Sequence, residues 1–131
     1  MHEFLHPQSW KRPKGYANGI LAEGHMVFLA GQVGWNAERK FDSQDFVVQA
    51  RQALANIVVL VREAGGKREH ITRLTWFVLD KKEYMSRLSE LGHAYRRVIG
   101  KHYPAMTLVQ VAALVDDQAK VEIEATAVVP D

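Results

Sequence analysis

Phe46, Ala50, Leu54, Ile57, Val58 and Val61 recur at helical spacing and give the clearest periodic signal in the chain. Asp42 or Ser43 is placed to cap this helix, and Gly65-Gly66 to end it. Ile71–Leu79 is dense in β-branched and aromatic residues and reads as a strand. Asp80 then opens a second helix, with Glu83 as its capping-box partner and Met85, Leu88, Gly92, Tyr95 and Ile99 as its buried stripe. Gly100 and Pro104 close it. Upstream, the short apolar runs Gly19–Glu23 and Met26–Ala30 flank Gly24-His25 and predict a hairpin. Downstream, Thr107–Leu114 and Lys120–Val129 predict two more strands, joined through Val115–Gln118. The order ββ-α-β-α-ββ predicts an α/β (α+β) fold, a mixed sheet with two helices on one face. The first 18 residues, with Pro7, Pro13 and Gly15, read as an extended arm.

Two helices cover one face of such a sheet, yet Ile71–Leu79 is apolar on both alternating sets: Leu74, Trp76 and Val78, against Ile71, Phe77 and Leu79. Strands of this kind are buried on both faces, which predicts a homo-oligomer whose sheets cover one another. On the last strand, Val121, Ile123, Ala125 and Ala127 suit the helix side, so Glu122 and Glu124 leave the opposite face. Either they face solvent, or they stand in an inter-chain crevice where a carboxylate can act on water or a proton.

Composition narrows the function. The 131 residues suit one domain (1–131), and 47% hydrophobic with 24% charged residues excludes a disordered or low-complexity chain. The longest apolar run, Ile57–Val61, is far too short to span a membrane, no secretory signal is visible, and a cytoplasmic location is expected. Cysteine is absent, which excludes disulfides, zinc-thiolate sites and a cysteine nucleophile. Of the six histidines only His2 and His6 stand four apart, in the arm and outside any expected helix, and there is no HExxH, GxGxxG, P-loop or GxSxG pattern, so no metal and no nucleotide cofactor is expected. A net charge of +2, with the basic pairs Lys11-Arg12, Lys67-Arg68 and Arg96-Arg97 scattered among acids, does not build the basic face of a nucleic-acid binder.

Six short motifs occur in order: Gly15-Tyr16, Val27–Val33, Gln49–Ile57, Phe77–Asp80, Tyr103-Pro104-Ala105 and Val121–Ala125. Together they resemble the RidA (YjgF) family over roughly residues 15–129. The resemblance implies a chorismate-mutase-like fold, a homotrimer with ligand pockets between subunits, and hydrolysis of reactive imines and enamines to carbonyl products and ammonia. It assigns catalytic positions to Tyr16, Thr107 and Glu122, and a backbone lining role to Gly31. The family's carboxylate-clamping arginine is replaced by Met106, its usual cysteine by Leu108, and its helical asparagine by Leu88. Methionine neither donates a hydrogen bond nor neutralises a carboxylate, so the polar half of the expected pocket is depleted. Its apolar half is enlarged by Met106, Leu108 and Leu88, with Trp35 and Trp10 adjacent in sequence to pocket segments. Arg12 and Lys14, in the arm before Tyr16, are the candidates for a replacement cation. Three functions compete: an imine or enamine deaminase, a noncatalytic trimer that binds or senses a small molecule, and an endoribonuclease or translation inhibitor. No histidine pair for RNA hydrolysis is evident, which counts against the third.

Overall fold

Asp45, rather than Asp42 or Ser43, caps the first helix in the computed structural model, which describes residues 2–131. Its carboxylate accepts from the Val48 N–H at 3.1 Å, and helix α1 runs Phe46–Glu63. Asp45 has a second partner that Asp42 and Ser43 lack: the Arg87 guanidinium, 2.6 Å away. The face of α1 carrying Phe46, Ala50, Leu54, Ile57 and Val61 is fully buried against the sheet. Gln49, also buried, ties the helix start to neighbouring loops, donating to the Ser43 and Gln118 carbonyls and accepting from the Lys120 N–H.

The main sheet has the strand order β3 (His25–Val33), β6 (Val121–Val129), β4 (Ile71–Val78) and β5 (Ala105–Gln110). Only β4 and β5 run parallel; β6 is antiparallel to both of its neighbours. The mixed sheet with helices on one face is as expected, but the expected hairpin is not formed. Strand β2 (Gly19–Ala22) pairs instead with β1 (His2–Leu5), from the start of the supposed arm, while β3 joins β6. Gly24, at φ 145°, turns the chain between β2 and β3, and a side chain there would overlap the Val129 carbonyl. Strand β5 stops at Gln110, short of Leu114, where the Gln110 side chain accepts from the Lys81 N–H at 2.8 Å.

The second helix is broken in two. Asp80 caps α2 (Lys81–Ser86), Arg87 leaves helical geometry at φ −119°, and α3 follows at Leu88–Val98. Arg87 bonds to both Asp45 and Glu90, which holds the chain at the break. The break re-aims the expected stripe. Leu91, Ala94, Tyr95 and Ile99 are buried, whereas Met85 is exposed and Leu88 is 45% exposed.

Strand β4 also departs from the two-faced reading. A register shift between Ile71 and Arg73 turns Ile71 into the core with Leu74, Trp76 and Val78. Its outer set becomes Arg73, Thr75 and Phe77. Beside Phe77, the apolar material on the uncovered face comes from Met26 and Phe28, 61% and 74% exposed, together with Val109.

A histidine group fastens β1 to this frame. His2 Nε2 donates to the His70 carbonyl at 3.1 Å, and buried His102 donates to the Ile71 carbonyl at 2.7 Å. Burial pushes the imidazoles of His102 and His70 below their ordinary 6.5, with nearby His2 adding to the shift at His70. Both rings favour the neutral form when folded, so below pH 6.5 the unfolded chain binds more protons. Their contribution to stability is complete above 6.5 and is lost as the pH falls through the lowered folded values. The thermal midpoint is therefore expected to drop between about pH 7.5 and about pH 5. A midpoint that stays level over that interval in a pH series contradicts this.

Candidate functional site

A cavity of about 450 Å³ opens at the β5 edge of the sheet, within the range of about 300–1,000 Å³ usual for small-molecule sites. Its position follows from the chain path. Ala17 donates to the Pro104 carbonyl at 3.0 Å and bridges to Ala105, so the arm lies alongside the start of β5. Gly15, at φ 78°, makes the bend that leaves Lys14 and Gly15 at the cavity wall. The alternation of β4 and β5 sends Trp76 and Met106 to the helix side, where they form the sheet wall. Tyr84 of α2 and Leu88, Leu91, Gly92 and Arg96 of α3 form the opposite wall. Tyr95 and Tyr103 stack at 5.5 Å between ring centres beside them.

The electrostatics of this cavity are one-sided. Burial raises the Tyr84 and Tyr95 hydroxyls above their ordinary 10, so both remain neutral phenols. The Tyr95 hydroxyl is engaged, donating to the His102 carbonyl at 2.7 Å. Lys14 and Arg96 are the charged residues of the lining, and no carboxylate lines it among the described residues. Trp76 is 2% exposed, and its indole N–H has no acceptor among the described residues. A buried donor without a partner costs on the order of 1–3 kcal/mol.

The expected site residues fall into separate places within one chain. Met106 and Leu88 share the cavity. Leu108, also on the helix side, packs against the core. Glu122 lies on the opposite face of the sheet, paired across the strands with Phe77, and its carboxylate occupies the space that a side chain at Gly31 would need. Thr107 emerges on that same outer face, opposite Thr75. Met106 pairs with Leu74, which pairs with Ala125, so within one protomer Met106 and Glu122 lie on opposite faces of the sheet. Tyr16 and Arg12 line a neighbouring groove that shares Tyr103 with the cavity. Trp35 packs away from these places against Phe41, with the Arg39 guanidinium 5.9 Å from its ring centre. Trp10 is exposed. Trp76, Tyr84, Arg96 and Tyr103 were not anticipated as lining residues. For Tyr84, the spacing Tyr84–Leu88–Leu91–Tyr95 carried a usable signal. No group of three or more metal-ligating side chains occurs among the described residues, nor any helix long and apolar enough to cross a membrane.

The family model described as endoribonuclease L-PSP matches residues 9–129. The chain belongs to this family, the RidA/YjgF family. The chain is 34% identical over 116 residues to the 2-iminobutanoate/2-iminopropanoate deaminase of Escherichia coli, covering 86% of each. A RutC family protein of Pasteurella multocida is 33% identical over 105 residues, 80% of this chain and 81% of that one. Among solved structures, the Rid-family protein YyfB of Yersinia pestis superposes with a TM-score of 0.83 at 28% identity, over 98% of each chain. The YjgF gene product of E. coli gives 0.68 at 33% identity over 88% of each. The cavity of this chain has apolar and aromatic walls, two cations and a methionine at position 106.

Proposed function

We propose that this RidA-like protein binds a small organic imine or enamine at the β5 edge and hydrolyses it, releasing ammonia. The observation that carries the reading is the cavity itself, which has Met106 and Leu88, two positions singled out by the family resemblance, on its walls. A deaminase-named relative at 34% identity supports the same chemistry. Water adds across the C=N bond, a proton moves to nitrogen, and the resulting carbinolamine expels ammonia to leave the carbonyl.

The reaction needs a group that orients water and moves protons, and the cavity contains no carboxylate. Glu122 sits on the uncovered face with Gly31 and Thr107. The division of the site between two faces of one sheet supports a homotrimer in which Glu122 of a neighbouring protomer completes the cavity. In that assembly the neighbour's Glu122 holds the water and its Thr107, on the same face, supplies a hydroxyl for proton transfer together with Tyr16 at the adjoining groove. Met106 favours a second reading, a trimer that binds without turnover, because it removes the charged contact from β5.

Ammonia release from imines generated in place by an amino-acid oxidase separates the two. Deaminase function predicts release that scales with protein concentration and is lost in an assembled Glu122→Gln variant. Ligand binding without accelerated release establishes the binding-only trimer instead.

A further inference from the structure

Arg96 is the one arginine that lines the cavity among the described residues. It stands on α3 at the cavity wall, and it has no carboxylate within ion-pairing distance among the described residues. Its one recorded polar neighbour is the exposed His93 ring, 3.4 Å away. A β-carbon built at Gly92 would stand 3.2 Å from Arg96 Nη1, so the guanidinium folds back over the space that the glycine leaves. Glycine inside a helix is costly, and here it makes room for a charge at the cavity. Lys14 approaches from the arm. Tyr84 and Trp76 line the same cavity, the latter with an indole N–H that has no partner among the described residues.

We propose that Arg96, assisted by Lys14, is the anion-recognition group of this cavity, and that its ligand is an aromatic monocarboxylate. The carboxylate sits at Arg96, and the ring sits among Trp76, Tyr84 and Met106. This rests on the reading that the cavity is the protein's small-molecule site, and it names the substrate class for that site. Two cations with no lining acid select an anion. Aromatic walls and a flexible thioether select a flat apolar body over a short aliphatic one. A small acid such as propionate does not fill about 450 Å³.

Calorimetric binding to the full-length assembled protein tests the proposal with 3-phenylpropionate, its neutral amide 3-phenylpropionamide, and propionate. The aromatic acid is expected to bind at least about tenfold more tightly than either of the others. Arg96→Gln should weaken the acid by about tenfold and leave the amide unchanged, Arg96→Lys should retain part of the affinity, and Lys14→Gln should lose less. Gly92→Ala keeps the charge but crowds the guanidinium, so it should weaken the acid in a protein that folds at least as stably. The proposal is overturned if acid and amide bind alike, if Arg96→Gln leaves acid affinity unchanged, or if the wild type does not bind the acid. Because none of these probes has a C=N bond, the result is independent of turnover. A protein that binds them as described but releases no ammonia fails as a deaminase and keeps Arg96 as its anion site.

Discussion

Phe28→Asp is expected to leave a folded monomer of 14.9 kDa where the wild type scatters light as a species three times that mass. Phe28 is 74% exposed on the uncovered sheet face, so the substitution removes little from the protomer's own core. In a trimer closed through that face, each protomer would instead bury a carboxylate, at several kcal/mol per ion, and lose the burial of a phenyl ring, worth about 2 kcal/mol. The same change is made three times per assembly. A wild type that is monomeric, or an assembled Phe28→Asp variant, contradicts this use of the face.

Met106→Arg is expected to raise hydrolysis of a small imine, such as that of alanine, by roughly 10- to 100-fold, the worth of about one charge-assisted contact. The new guanidinium would enter the cavity from β5 beside Arg96 and Lys14. Within one protomer it cannot be neutralised by Glu122, which leaves the other face of the sheet. The same substitution fills apolar space and adds like charge, so the imine of phenylalanine should be turned over more slowly than by the wild type. Initial rates on both imines, with assembly checked by light scattering, give the comparison. A folded, assembled variant with unchanged rates would show that position 106 does not govern selection.

The strong periodicities were legible. Phe46 to Val61 gave α1, and Val121 to Ala127 gave the buried side of β6, because both rest on local repeats that packing reinforces. What failed depended on distant partners. Gly24 reads as a hairpin turn until His2–Leu5, far upstream, supplies the strand that β2 pairs with. The helical stripe through Met85 and Leu88 assumes a continuous helix, and its break at Arg87 is set by Asp45, 42 residues away. Ile71 belongs to the core only because β4 slips register against β6.

The site was legible in parts for the same reason. Motif order located Met106 and Leu88, but strand alternation then divides Met106 from Glu122, and no single-chain pattern rejoins them. Arg96 passed as one of a scattered basic pair. Its setting becomes visible only when α3 is laid beside β5, with Gly92 leaving room for the guanidinium.

The imine-hydrolysing function proposed for this RidA/YjgF protein includes a preference for a large aromatic substrate over a small aliphatic one. Its most direct test is the ratio of ammonia-release rates on the imines of phenylalanine and alanine, generated by the same oxidase and corrected for spontaneous hydrolysis. Protein-dependent acceleration is expected with the imine of phenylalanine, and little with that of alanine. Acceleration with neither imine, or a preference for alanine, would contradict it.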